Sequence, residues 1–254
     1  MPLETLSLRL KQNGYRPDIS YGAFDEGAMV GLWLSGIRAI GGRKVACCTG
    51  ATVLEEWRKR GIAGALAGAA EGAARALGAS VGVLNARAED TTVIRLYRGM
   101  GFEQGRTLHS YTSAALQAPL ERNPMKARAV DIGHAYSLRH MLDHDLPWCK
   151  MWEGILAVKD SITAVAVSDG LRQRAYGLFQ PATGRILHVG LDSADEEEGR
   201  FVLGAMIAFF MKVPDRTEDL ELFQVPDSAG RIPAIMSSLG FALANAQLEM
   251  TKIL

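Results

Sequence analysis

Arg58, Gly61 and Ala63 stand in the spacing Arg-x-x-Gly-x-Ala, directly after a strand-forming run that ends at Val53 and Leu54. Arg58, Lys59 and Arg60 place three cations side by side, and Gly61-Ile62-Ala63-Gly64 opens a segment that continues as helix. The first N–H groups of a helix have no partner inside it, and the helix dipole makes that end positive. Small residues at such a start let a ligand approach the backbone. This arrangement is that of a pyrophosphate site. A second group follows at 90–102. Asp90 is a residue type that caps a helix start by accepting from its free N–H groups. Tyr97 lies in the helix it would cap, just ahead of Gly99-Met100-Gly101-Phe102.

The elements that must position these residues can be read from pattern and punctuation. A short helix over 2–13 carries Leu6 and Leu10 on one face, and Asn13-Gly14 breaks it. Strands over 20–24 and 29–40 flank the turn Asp25-Glu26-Gly27, and a third strand over 45–54 flows into the Arg58 turn. The helix over 61–77 ends at Gly78. Its Gly64, Gly68 and Gly72 recur every four residues, which predicts close packing of that face on a sheet. A short strand over 80–85, a helix over 91–98 and a strand over 102–112 complete the first half. Pro119 and Pro124 bracket a polar segment that reads as a linker.

The second half repeats this order. A strand over 125–130 leads into a helix over 132–142 that Asp131 caps. A helix over 152–158 precedes hairpin strands over 162–167 and 172–180, a strand over 186–191 and a helix over 199–212. A strand over 219–224, a helix over 231–239 and a final strand from Phe241 follow. Ser168-Asp169-Gly170 echoes Asp25-Glu26-Gly27, and Leu239-Gly240-Phe241 echoes Met100-Gly101-Phe102. The period is far longer than the ~20–50 residues of solenoid repeats, so the reading is a duplicated domain, 1–118 and 119–254. In the first copy, nothing corresponds to the strand and helix that open the second. Three hairpin-linked strands followed by strand–helix–strand–helix–strand give an α+β fold with a mixed sheet.

Composition narrows the function classes. At 254 residues the chain could be one large domain or two of ordinary size, and with 48% hydrophobic residues it can bury a substantial core. Lysines and arginines balance aspartates and glutamates at 28 each, which argues against a nucleic-acid partner. Three cysteines, Cys47, Cys48 and Cys149, make no disulfide framework and fit a reducing cytoplasm. The N-terminus shows no signal-peptide pattern, and the apolar run over 61–70 is too short to span a membrane, so no membrane partner is expected.

Arg58-x-x-Gly61-x-Ala63 after a strand, followed by Asp90 and by Tyr97-x-x-x-Gly101-Phe102, resembles the GNAT superfamily of N-acetyltransferases. The second half matches in element order and in Gly240-Phe241 only, so the whole resembles a tandem form with a degenerate second domain. The resemblance implies two GNAT-like domains, each a mixed, mostly antiparallel sheet with helices on both faces. It implies an enzyme that transfers the acetyl group of acetyl-CoA to a primary amine by direct attack, with no metal. The pantetheine would pair with the strand ending at Val53 and Leu54. The pyrophosphate would sit on Arg58, Lys59, Arg60, Gly61, Ile62, Ala63 and Gly64, with Asp90 at the next helix start. A backbone N–H near the end of that strand would polarise the carbonyl. Tyr97 would protonate the departing thiolate. The acceptor is a small-molecule or protein amine. In the second half, four consecutive carboxylates, Asp195 to Glu198, would repel a pyrophosphate. Met236 stands where Tyr97 stands in the first half. That domain is expected to be catalytically silent.

Other residues admit plainer readings. Tyr97 could be a buried tyrosine with a satisfied hydroxyl. Glu26, Glu55, Glu56 and Glu89 are general-base candidates, or solvated turn residues. Cys47 and Cys48 read as small buried apolar residues, not nucleophiles. His140 and His144, four apart, would make a metal pair only if the helix continued past Leu142. His109 and Tyr111 could line an acceptor pocket, Arg87 could meet an acceptor carboxylate, and Trp148 and Trp152 read as packing residues. Two rival functions remain. A non-catalytic acyl-CoA-binding or sensory module would keep Arg58, Gly61 and Ala63 but need no acid at Tyr97. A dinucleotide-binding oxidoreductase would need Gly-x-Gly-x-x-Gly and a strand-end acid, which the segment lacks.

Overall fold

A computed structural model of the protein describes residues 3–113, 123–193, 195–217 and 219–254. The linker expected between Pro119 and Pro124 falls mostly outside them. The chain divides into two compact units, Met1–Thr107 with Gln247–Leu254, and Leu108–Ala246. These are not the same sets of residues as the two sequence halves 1–118 and 119–254, because each half lends a strand segment to the other unit.

The first unit opens with α1 (Leu3–Gln12), whose last carbonyl, at Gln12, accepts from the Arg38 guanidinium at 2.6 Å. Strands β1 (Tyr21–Asp25), β2 (Ala28–Ile40) and β3 (Arg43–Val53) are antiparallel neighbours. The β1–β2 turn carries Glu26 and Gly27 at φ 45° and 87°, and the β2–β3 turn carries Gly41 and Gly42 at 56° and 78°, the backbone shape that Gly supplies most readily in a two-residue hairpin. Helix α2 (Ile62–Ala76) crosses over to β4 (Ala79–Arg87), which runs parallel to β3, and α3 (Thr91–Gly99) leads to β5 (Glu103–Thr112). The far neighbour of β4 comes from the end of the chain: β11 (Ala242–Ile253) pairs antiparallel with it from Gln247↔Arg87 to Ile253↔Val81. The strand order here is β1-β2-β3-β4-β11, with the first half of β5 next to β11.

The second unit contains β6 (Lys126–Val130), α4 (Ile132–Ser137), α5 (Trp152–Ala157), β7 (Thr163–Ser168), β8 (Gln173–Gln180) and β9 (Arg185–Leu191). It continues with α6 (Glu196–Phe210), β10 (Glu221–Pro226) and α7 (Ile232–Ser238). Its order is β5-β10-β9-β8-β7-β6, with only β9 and β10 parallel. Successive residues of a strand point to opposite faces. Accordingly Val165 and Val167 join a core with Val202, Leu203 and Met206 of α6, while Ala164 and Ala166 join another with Ala135 of α4 and Ile155 of α5. Helices therefore cover both faces, and both faces of β7 are apolar.

Two expectations fail. Gly64, Gly68 and Gly72 do not pack: all three are exposed, and an added Cβ at any of them would meet nothing within 4 Å. Spacing by four put them on one face, but Leu66, Ala67, Ala70 and Ala74 form the buried face of α2. The helix after Asp131 ends at Ser137, not at 142, and a tighter turn over Arg139–Met141 follows. His140 and His144 therefore do not share a helix face.

Candidate functional site

The site forms where β3 and β4 part. Their pairing runs from Lys44↔Ala79 to Cys48↔Leu84 and goes no further among the described residues. Beyond it β3 stays with β2 as far as Gly31↔Val53, and β4 stays with β11. A register shift opposite Leu34 and Ser35 leaves Thr49 as an extra residue in β3, and such a bulge bends and twists a strand. The two strands diverge there and open a cleft of about 610 Å³ between β3, the start of α2 and the outer face of α3.

One end of the cleft is the turn into α2. The Arg58 guanidinium donates to the Val53 carbonyl at 3.2 Å and fixes the turn to the end of β3. Lys59 and Gly61 both have positive φ, 60° and 79°, and helix begins at Ile62. Backbone that alternates hand in this way gathers successive N–H groups into an anion-binding concavity. Gly61 is the N-cap and brings no side-chain cap, so the first N–H groups of α2 are left to the cleft. An added Cβ on Gly61 or Gly64 would meet nothing within 4 Å, so there is room for a ligand against this backbone. All the residues expected to bind cofactor line the cleft except Leu54 and Arg60. Leu54 is exposed at the head of the turn, and Arg60 lies over the Trp57 ring, 4.6 Å from its centroid.

The other end is Tyr97. Asp90 accepts from the Val93 N–H at 2.9 Å, which caps α3 and sets the helix that carries Tyr97. The phenol ring meets Trp33 edge-on at 6.3 Å and Phe102 at 6.2 Å. Burial raises its pKa well above that of free tyrosine, with Cys48 and Asp90 adding to the effect. The phenol therefore keeps its proton at neutral pH. Burial likewise pushes the Cys48 thiol up to about 12, which keeps it out of nucleophilic chemistry.

None of Glu26, Glu55, Glu56 and Glu89 is among the residues lining the cleft. Glu89 pairs at 3.5 Å with Arg87, and both side chains are largely exposed. His109 and Tyr111 belong to the part of β5 that lies in the second unit, opposite Val225 and Leu222. Trp148 is buried, and Trp152 packs edge-on against Tyr136 and His188. No group of three or more His, Cys, Asp or Glu is placed to hold a metal among the described residues. Residue patterns had not marked Leu32, Trp33, Ala51, Trp57, Thr92 and Leu96, which also line the cleft. The available signal was position: β2 pairs with β3, so its residues opposite Ala51 and Thr52 had to be near.

The corresponding helix start in the second unit is closed. Asp195 accepts from the Glu198 N–H at 2.9 Å, and Ser193 Oγ donates to Glu198 Oε2 at 2.7 Å. Arg174, its side chain buried, pairs with Glu198 as well. A carboxylate thus occupies the place where α2 offers open N–H groups. Met236 is fully buried in the core.

Residues 2–102 match the Acetyltransferase (GNAT) family. A comparison with curated proteins finds no match. Among solved structures, a tandem GNAT protein from the clavulanic acid biosynthesis pathway is similar with a TM-score of 0.69 at 12% identity, over 97% of this chain and 87% of that one. A GCN5-related N-acetyltransferase from Sphaerobacter thermophilus gives 0.64 at 16% identity, over 90% and 78%. The glucosamine N-acetyltransferase region of a fungal multi-domain β-N-acetylglucosaminidase gives 0.70 at 12% identity, over 96% of this chain and 34% of that one. At these identities the likeness is one of fold.

Proposed function

We propose that the protein transfers an acetyl group from acetyl-CoA to a primary amine through its first repeat, whose residues 2–102 match the Acetyltransferase (GNAT) family, and that the second repeat is a degenerate copy of the same fold. The observation that carries this reading is a single cleft with an uncapped helix start at one end and a protonated, half-buried phenol at the other.

Acetyl-CoA supplies the thioester. In this reading Gly61, Ile62, Ala63 and Gly64 bind the pyrophosphate through backbone N–H groups, and Arg58 and Lys59 add positive charge. The free edge of β3 beyond Cys48, toward Val53, holds the pantetheine, and a backbone N–H there polarises the carbonyl. The neutral amine attacks the carbonyl carbon. The C–N bond forms, the C–S bond breaks, and the sulfur takes the Tyr97 proton. The proton shed by the nitrogen passes to water, and solvent returns one to Tyr97. Asp90 acts by capping α3 and holding Tyr97 in place.

Among the described residues no helix is long and apolar enough to cross a membrane. We place the protein in the cytoplasm, which its few cysteines fit. The acceptor is a small-molecule or protein amine.

Calorimetric titration of the purified protein with acetyl-CoA, with NADH as control, tests the reading. Saturable acetyl-CoA binding at one site per chain is the expected result. Absence of binding overturns it, and NADH binding in its place returns the oxidoreductase.

A further inference from the structure

The cleft ends against an indole, and behind the indole there is space. Trp33 sits on β2 opposite Ala51 of β3, is 3% exposed, and lines the inner end of the cleft. It also lines a second, separate void of about 20 Å³. The other walls of that void are mostly small side chains, among them Ala46, Ala70 and Ala74, with Gly82 and Phe102. The depth of the cleft at this end is therefore set by one large side chain and not by backbone.

We propose that Trp33 is the stop that restricts this site to short acyl groups. The inference rests on the acyl-CoA reading of the cleft. Tyr97 meets the Trp33 ring edge-on, so a thioester sulfur within reach of the Tyr97 proton brings its acyl group up to the indole. The methyl of an acetyl group ends there, whereas a longer chain runs into Trp33. The ring is packed in one buried core with Leu66, Ala67 and Ala70 of α2 and does not yield by moving into solvent. One methylene more or fewer in an apolar pocket changes discrimination about 10–200-fold. An indole that blocks several carbons gives a steep cut-off, and removing it joins the cleft to the void behind.

The test is calorimetric titration with acetyl-CoA, butyryl-CoA and hexanoyl-CoA, for the unaltered protein and for Trp33→Ala. The unaltered protein is expected to bind hexanoyl-CoA at least about tenfold more weakly than acetyl-CoA. In Trp33→Ala that preference should shrink at least about tenfold or reverse, with acetyl-CoA still bound. Trp33→Leu, which keeps more of the packing, serves if circular dichroism shows that the alanine variant is unfolded. Equal binding of all three thioesters by the unaltered protein overturns the inference and leaves the acyl-CoA reading intact. An unchanged chain-length preference in a folded variant does the same. Failure of the unaltered protein to bind any CoA thioester overturns both.

Discussion

At Tyr97 the surroundings take water away from the phenol without giving it a cation. Trp33 and Phe102 meet its ring, and the neighbouring ionisable groups, Cys48 and Asp90, disfavour the phenolate further. Such a group stays protonated at neutral pH, so its O–H is available to the negative charge that develops on a departing sulfur. Tyr97→Phe keeps the ring and deletes the proton. We expect kcat to fall by about 100-fold or more, with calorimetric acetyl-CoA affinity within twofold of normal, as for loss of a positioned acid (~10²–10⁴-fold). Unchanged turnover would remove Tyr97 from the chemistry. Unchanged behaviour in a protein that binds acetyl-CoA but turns over no amine would favour the sensory module.

Burial also sets the behaviour of His188, in the second unit. Its Nε2 lies 2.6 Å from the Lys150 carbonyl and its Nδ1 3.3 Å from the Tyr176 hydroxyl. Desolvation pushes its pKa down to about 3, opposed by the hydrogen bond to the Lys150 carbonyl and reinforced by the charges of Lys150 and His144. The unfolded chain therefore binds a proton near pH 6.5, its ordinary value, that the folded chain refuses until about pH 3. Stability is present above that ordinary value and falls as the pH drops through the window, by at most about 1.4 kcal/mol per pH unit. Urea unfolding between pH 7 and pH 4 should show this slope, and His188→Gln should flatten it. A slope that survives the substitution would place the titration elsewhere.

At the scale of elements, α2 and α6 show how one fold gives two outcomes. Both follow a strand at the same place in their repeats. Gly61 opens α2 with no side-chain cap, whereas Asp195 closes α6 with its own carboxylate. This difference was legible in the sequence, because glycine after a strand and a run of carboxylates are local chemical statements. The Gly64, Gly68 and Gly72 stripe was not. Its spacing fixed a shared face, but which face is buried depends on Leu66 and the alanines beside it. Gly61 separates conformation from charge. Its φ of 79° is strained for any side chain, yet an added Cβ meets open space. Gly61→Ala should weaken acetyl-CoA binding only by the ~1–2 kcal/mol of that backbone strain, about tenfold or somewhat more. Gly61→Glu adds a negative charge at the pyrophosphate and should abolish measurable binding. Equal affinities in the two variants would place the anion elsewhere.

At the scale of the molecule, the duplicated order of elements was readable but the exchange of strands was not. Periodicity and turn residues locate a strand, and they do not say which edge it joins when the partner is over 150 positions away. The partner of β4 is β11, the last strand of the chain. Once placed, β11 is held by specific contacts: Glu249 accepts from Arg106 at 2.8 and 3.2 Å, and Lys252 donates to Glu71 of α2 at 2.7 Å. Leu248 and Met250 enter the same core as Trp33, Leu84 and Phe102. β4 leads into the helix that carries Tyr97, and it pairs with residues from the end of the chain. Deleting 247–254 exposes the edge of β4 and removes Leu248 and Met250 from that core, at a cost of roughly 2–5 kcal/mol for each large apolar side chain lost. The truncated protein should lose acetyl-CoA binding and show a separate, earlier unfolding transition by calorimetry, although no deleted residue lines the cleft. Retained binding at full affinity would mean that β4 and the cleft stand without β11.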